Sequence, residues 1–277
     1  RDMHQSAVAL LKLETELRLG VQNNDFAMHY QPIVDLESGR IVGFESLVRW
    51  MHPERGIVSP NSFIAIAEET GLIVPLGWWV LEESCRQTHL WQSRFPSDPP
   101  LFINVNVSGK LFMKPGIVDR LMEILESTNL LPESLRLEVT ENVVLEHVDI
   151  ALDNLNQLRA MGIQLSIDDF GTGYSSLSYL QRFRYDQLKI DRSFVSRLSH
   201  GSDSRAIVET ILGLANNLGI GVVAEGVETA EQAERLRQMS CPHGQGFWFS
   251  RPLTADAAGN LLAAGPEWFT GDGGLPA

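Results

Sequence analysis

Short apolar runs that read as β-strands recur along this chain, and six acidic or amide residues, Glu45, Asn106, Glu138, Asp168, Asp169 and Glu225, sit at or just past their ends. A surface acid falls anywhere along a polar face. Acids set repeatedly at the C-terminal ends of successive strands instead converge on one rim of a βα barrel, where active sites of that architecture lie. Several carboxylates in one mouth repel each other and stay protonated unless divalent cations neutralise them. The pattern therefore points to a barrel with a metal site at its mouth.

A chain of 277 residues with 44% hydrophobic content and 23 glycines is long enough for one large core, and a barrel of about 250 residues is ordinary for a single domain. Its formal net charge of −13, from 22 basic and 35 acidic residues, opposes the attraction to phosphate backbones that duplex binders rely on, so long nucleic acid is not an expected partner. A small anionic ligand stays open, because bound metal ions reverse the field locally. Cys85 and Cys241 lack the spacing of zinc or redox sites and read as buried free thiols in a reducing compartment. No signal-peptide pattern and no run of roughly 18 or more uncharged apolar residues occurs, so a cytoplasmic, soluble chain is expected, with membrane attachment of the parent protein left open. The chain opens at Arg1 rather than Met, and Met3 to Gly20 carries a helical pattern with Ala9, Leu10, Leu13 and Leu17 on one side. Residues 1–20 are expected to form a linker helix in a piece of a longer protein.

Met28 to Val34 and Ile41 to Val48 read as strands joined by Asp35 to Arg40. That connection is too short for a βαβ crossover, so the first strand pair should be antiparallel. Ser59-Pro60 supplies an N-cap with proline at the first helical position, ahead of helical patterns over Phe63 to Thr70 and Gly77 to Gln92. Strands are then expected at Leu101 to Val107, Leu135 to Thr140, Ile163 to Ile167, Gln187 to Ile190, Gly221 to Ala224 and Gly246 to Phe249. Helices near 116–128, 149–161, 175–182, 203–218 and 229–239 separate them, the last opened by capping-box spacing from Thr229 to Gln232. Such alternation implies a parallel sheet. With both hairpin strands the count is eight, the number that closes a barrel filled by its own side chains. The expected fold is α/β, a TIM-like (β/α)8 barrel with an antiparallel first strand pair, spanning 21–264. The tail 265–277, rich in Gly and Pro, should be flexible apart from Trp268 and Phe269 as docking points.

Five stretches can be read together: Gly43 to Arg49, Asn104 to Ser108, Glu138 to Asn142, Asp168 to Leu177 and Ala224 to Thr229. With Gln31-Pro32-Ile33, Leu188-Lys189-Ile190-Asp191 and Gln245-Gly246-Phe247, they make the sequence resemble the EAL-domain family of cyclic di-GMP phosphodiesterases from about Phe26 to about Leu253. The run from Asp168 to Leu177 and the order of the matching sites make this signal specific.

The resemblance implies a hydrolase that opens cyclic di-GMP to linear pGpG, using two divalent cations. Oxygen ligands without a thiol or paired-histidine motif suit Mg²⁺ or Mn²⁺. By resemblance, Glu45, Asn106, Glu138 and Asp168 hold one ion, and Asp168, Asp169 and, directly or through water, Glu225 hold the other. Two ions roughly 3.5–4 Å apart activate a shared water and clamp the attacking and leaving oxygens of an in-line displacement. Lys189 matches the family lysine that holds the attacking water and stabilises charge near the phosphate. Whether Glu225 or the hydroxide itself acts as base stays open. Gln31, Leu47, Arg49 and Gln245 match positions that contact the dinucleotide, Arg49 offering a fork of donors to a phosphate. Glu141 and Glu228 match glutamates that fix the loop from Asp169 to Leu177. The family also forms homodimers through the helix after that loop. Met3 to Ala7 and Leu13 to Arg18 resemble the linker that follows a GGDEF cyclase domain, which implies a GGDEF or sensory domain upstream.

Taken singly, an acid at a strand end is more often a solvated cap than a ligand; the joint pattern overturns that. Asn104 shares a strand face with Asn106 and reads as a residue that hydrogen-bonds either a metal ligand or the core. The seven histidines show no ligand spacing and read as surface or structural groups, Trp78 and Trp79 as packing. Gly171 and Gly173 do not make a phosphate-cradling loop. Three residues depart from the family pattern: Ser46 replaces its alanine, Pro242 stands where many members carry Asp, and Phe247 replaces a common Tyr. None touches an implied metal ligand. The alternative reading is a catalytically silent cyclic di-GMP receptor module, which lost ligands or a broken loop would mark; neither loss is visible in the sequence.

Overall fold

Two long strands lead the fold of the computed structural model, which describes residues 2–140, 148–170, 182–198, 202–266 and 268–269, with the side chains of 2–10, 149, 169, 202 and 203 left aside. Strands β1 (Phe26–Asp35) and β2 (Ile41–His52) form an antiparallel hairpin in which Gln31 lies opposite Glu45. The Asp35 carboxylate accepts from the Ser38 N–H at 2.7 Å and Gly39 adopts φ 69°, a conformation that favours glycine. A short strand, β3 (Gly56–Val58), extends the far end of β2. Parallel to β2 runs β4 (Phe102–Asn106), followed around the ring by β5 (Leu135–Thr140), β6 (Gln164–Phe170), β7 (Gln187–Ile190), β8 (Gly221–Ala224) and β9 (His243–Gly244). Because β1 pairs antiparallel with both β2 and β9, the sheet closes into an eight-strand mixed barrel. β10 (Leu253–Thr254) adds to the outer end of β1. The barrel and its antiparallel first pair are those the sequence pattern predicts.

Helices Pro60–Thr70, Ile73–Arg94, Ile117–Thr128, Val148–Ala160, Ser202–Leu218 and Ala230–Gln238 connect the strands. The last opens with a complete capping box: Gln232 N–H donates to Thr229 Oγ1 at 3.2 Å and Thr229 N–H to Gln232 Oε1 at 3.1 Å. Strand side chains alternate between two faces. One face packs on the helices, as where the Trp91 ring meets Tyr30 at 4.8 Å and Phe44 at 4.7 Å. The alternate residues of β4 to β7 contact one another in the barrel interior. Near the strand starts these are Phe102, Arg136 and Gln164, joined by His243; above them come Asn104, Ser166 and Gln187, and then the carboxylates.

The opening helix runs further than its sequence pattern, over Asp2–Asn23. Leu17 is fully buried, and Glu16 meets Arg55 at 2.8 Å and His52 at 3.3 Å. Burying a leucine is worth about 1.5–3 kcal/mol, whereas an exposed ion pair gives about 0.2–1 kcal/mol. Apolar contact, not charge, therefore dominates the docking of this helix, which packs against the helix Pro60–Thr70.

Two sequence expectations need correction. The closing strand is His243–Gly244, not Gly246 to Phe249. A Cβ on Gly246 would run into the Val227 backbone, and Trp248 N–H donates to the Val227 carbonyl at 2.9 Å, so the apolar run turns across the barrel end. β6 also continues past Ile167 through Asp168 and Asp169 to Phe170, with a register irregularity before Phe170 pairs with Ile190. The expected helix near 175–182 lies largely outside the described residues. Trp268 does dock, edge-on to Phe249 at 5.4 Å, and Phe269 lies 5.5 Å from Trp248; residues 270–277 are outside the description. Cys85 and Cys241 are buried and free. Among the described residues, no helix is long and apolar enough to cross a membrane.

Candidate active site

The parallel register sets Asn106 beside Glu138 and Thr140 beside Asp168, while Lys189 and Glu225 stand at the ends of β7 and β8. Gly226 adopts φ 67°, and a Cβ there would meet the Cβ of Arg192, so a glycine is needed for the chain to turn away directly after Glu225. All these side chains meet at the barrel mouth. Lys189 Nζ is the focus, 2.6 Å from Glu225 Oε1, 3.0 Å from Glu138 Oε2, 3.3 Å from Glu45 Oε2 and 3.6 Å from Asp168 Oδ1. Its side chain is 1% exposed.

Amides frame the acids. Asn106 Nδ2 donates to Glu45 Oε1 at 2.7 Å, and Gln245 Nε2 donates to Glu45 Oε2 at 2.6 Å and to Gln31 Oε1 at 3.0 Å. Gln31 in turn donates to the Ser250 carbonyl at 3.0 Å. Glu138 Oε1 accepts from Asn104 Nδ2 at 2.6 Å. Ser46 puts its hydroxyl on the Asn104 carbonyl at 3.1 Å, so the extra oxygen relative to alanine is satisfied.

Burial and charge pull these groups in different directions. For Glu138, burial together with the neighbouring acids outweighs Lys189 and raises its pKa well above the usual carboxylate range. Burial lifts Glu225 to about 7. Glu45 is also pushed up by burial, but Lys189 and the hydrogen bonds from Gln245 and Asn106 prevail and lower it. Lys189 is desolvated, yet four carboxylates hold its pKa well above that of a free lysine, so it stays charged. Four carboxyl groups crowd one ammonium, and the crowding drives Glu138 and Glu225 toward their protonated forms in the absence of a further positive charge. That crowding and the all-oxygen donor set fit a hard divalent cation. Among the described residues, no three His, Cys, Asp or Glu side chains stand in cation-ligand geometry by themselves, since the oxygens are turned to Lys189.

Beside the cluster opens a cleft of about 200 Å³, lined by Glu45, Glu225, Gln31, Leu47, Arg192 and Phe247, with Glu228 at its edge. Phe247 is half exposed and carries the Arg251 guanidinium 4.4 Å from its ring centre. The structure thus brings together Glu45, Asn106, Glu138, Asp168, Lys189, Glu225, Gln31, Leu47 and Gln245. Arg49 stands apart, its Nη1 donating to the Val48 carbonyl at 2.9 Å and its side chain off the cleft. Glu228 precedes the capping box, its N–H on Gln232 Oε1 at 2.7 Å. Asp169 lies in β6, with its side chain outside the description, and Glu141 and the loop 171–181 are outside it altogether. Sequence reading missed Arg192, which follows the Leu188 to Asp191 stretch directly. It also missed Ser166 and Gln187, whose place beneath Glu138 depends on strand register.

Known proteins share this chain's sequence pattern and fold. The EAL domain family matches residues 14–252. The bifunctional diguanylate cyclase/cyclic di-GMP phosphodiesterase MucR of Pseudomonas aeruginosa is 44% identical over 95% of this chain and 38% of its own length. The cyclic di-GMP phosphodiesterase NbdA of the same organism is 39% identical over 95% of this chain and 34% of its own. The chain therefore spans about a third to two fifths of these relatives. A solved structure of the PaMucR phosphodiesterase in complex with c-di-GMP superposes with a TM-score of 0.84 at 44% identity, covering 89% of this chain and 99% of that one.

Proposed function

As the chain belongs to the EAL-domain family, we propose that it is a metal-dependent phosphodiesterase that hydrolyses cyclic di-GMP to linear pGpG. The observation that carries this reading is the convergence of four carboxylates and an amide around one buried ammonium beside a cleft. Glu45, Asn106, Glu138 and Asp168 would hold one cation, and Asp168, Asp169 and Glu225 a second. When bound, Mg²⁺ or Mn²⁺ supplies an activated water and neutralises charge on the phosphate.

The chain's own residues supply the rest. Lys189, charged and desolvated, gives a fixed positive charge to the phosphate region, where a low local dielectric strengthens it. Glu225, 2.6 Å from Lys189 Nζ at the cleft wall, is placed to take a proton at a carboxylate oxygen. Gln31 and Leu47 line the cleft, and Gln245 ties Gln31 to Glu45, so dinucleotide contacts and the acid cluster share one rigid frame. Arg49 keeps Nε and Nη2 for a phosphate while its Nη1 holds the Val48 carbonyl. Loop fixing by Glu141 and Glu228, homodimerisation, a GGDEF or sensory domain upstream and a cytoplasmic location belong to the same proposal. The names of MucR and NbdA, the former a bifunctional cyclase and phosphodiesterase, support it.

Incubating the chain with cyclic di-GMP and Mg²⁺ or Mn²⁺, then separating products by chromatography, tests the reading. pGpG that appears with metal and vanishes with EDTA is expected. Unchanged substrate with saturable binding would favour a silent receptor, and faster cleavage of an unrelated cyclic or linear phosphodiester would overturn the substrate.

A further inference from the structure

Beneath the mouth lies a buried chain of hydrogen bonds that no role above uses. Asn104 Nδ2 donates to Glu138 Oε1 at 2.6 Å and to Gln187 Oε1 at 3.1 Å, and Ser166 Oγ donates to the same Gln187 oxygen at 3.4 Å. Asn104 and Ser166 are fully buried and Gln187 nearly so. We propose that Asn104 and Gln187 are positioning residues for Glu138, fixing from below which of its oxygens faces the mouth; this rests on the function proposed above.

The chemistry allows one orientation of the amides. Both hydrogens of Asn104 Nδ2 are used, one on the carboxylate and one on the Gln187 oxygen. With Glu138 ionised, as a cation ligand must be, turning the Asn104 amide over would set its oxygen against two acceptors, Glu138 Oε1 and Gln187 Oε1. The observed orientation leaves Asn104 Oδ1 buried without a partner, which costs less than two opposed acceptors, one of them a carboxylate. Gln187 is held the same way, because its oxygen meets two donors and its NH₂ group would meet the Asn104 NH₂. The Ser166 hydroxyl donates or accepts equally well, so the direction is set by the Glu138 carboxylate, and the chain ties that carboxylate to β4, β6 and β7 at once. With Oε1 tied down, Glu138 Oε2 is the oxygen left to face Lys189 at 3.0 Å. Strand register makes this possible: Ser166 pairs with both Glu138 and Gln187, and Asn104 reaches across from β4.

Asn104→Leu, Gln187→Met and the double variant test the inference against wild type. Both replacements keep side-chain size in the core, and thermal melting checks that each variant folds. Mn²⁺ binding is measured by calorimetry without nucleotide, and kcat and KM with cyclic di-GMP. Expected are Mn²⁺ affinity and kcat about 10- to 100-fold lower in Asn104→Leu, KM nearly unchanged, and a smaller loss in Gln187→Met. The double variant should be no worse than Asn104→Leu alone, since Gln187 acts through Asn104. Folded single variants that bind Mn²⁺ like wild type, or losses that simply add, would overturn the inference. Wild type that binds no Mn²⁺ would overturn the function proposed above, and this inference with it.

Discussion

The two ends of the barrel interior each bury a cation and treat it in opposite ways. At the mouth, Lys189 stands among four carboxylates, which hold its pKa far up despite desolvation. At the floor, the Arg136 guanidinium lies flat on the Phe102 ring, 3.4 Å from its centre, with Nε on Gln164 Oε1 at 2.7 Å and Nη1 without a partner. Burial there lowers its pKa to about 10, and distant acids offset little of this. Floor charge is thus matched to a π-face and an amide, as suits packing. The mouth crowds four carboxyl groups around one ammonium and raises two of their pKa values, an arrangement that suits a place where a ligand or cation is to be met. Both ends use the same strand alternation, so function here follows charge balance rather than burial.

The sharpest break between the two ends is expected from Lys189→Met. Removing the ammonium leaves buried acids uncompensated, and breaking such a set costs about 3–5 kcal/mol. Turnover of cyclic di-GMP should fall by about 100- to 1000-fold or more, read by product chromatography, with melting temperature restored in part by lowering pH as the acids take up protons.

A smaller effect separates the ends by the sign of their pH dependence. Burial, aided by Arg136, lowers the His243 pKa from 6.5 to about 4. The unfolded chain therefore binds that proton more readily, and stability is lost as pH falls from about 6.5 to about 4. Glu225 does the reverse: its folded value of about 7 lies above the usual 4.5, so its contribution is lost as pH rises from 4.5 to 7. Each shift corresponds to about 3 kcal/mol, and in wild type the two oppose each other. Denaturant melts without divalent cation should show His243→Gln gaining on wild type as pH drops toward 4, and Glu225→Gln gaining as pH rises toward 7. Parallel curves for all three would remove both assignments.

Much of the frame was legible because it rests on local pattern. Leu135–Thr140, Gln187–Ile190 and Gly221–Ala224 are the predicted strands to the residue, each an apolar run ending near a polar side chain. The closing strand was misplaced because His243–Gly244 is two residues long with no strand-forming composition, while the nearby Gly246 to Phe249 is apolar yet turns. At the site, strand ends announced Glu138 and Glu225, whereas Glu45 lies midway along β2 rather than at its end. Arg136 on Phe102 and Gln187 under Asn104 left no trace, since register brings together residues 34 and 83 positions apart only once the barrel closes.

The smallest effect belongs to the floor. Arg136→Met keeps the contact with Phe102 and removes a desolvated charge with an unpaired nitrogen. Stability should change by no more than about 1–2 kcal/mol, in either direction, and turnover should stay within about twofold. A loss of activity as large as that of Lys189→Met would erase the distinction between the two ends.

The most direct single measurement is hydrolysis of cyclic di-GMP by wild type and Glu45→Ala side by side, with Mg²⁺ and with EDTA, alongside thermal melts of both. Glu45 is buried at the mouth among donors, not in the apolar core. Expected is metal-dependent pGpG from wild type and none from a Glu45→Ala variant that still melts cooperatively near wild type. Full turnover by the variant, or wild-type turnover unchanged by EDTA, would contradict a cation-dependent site at the barrel mouth.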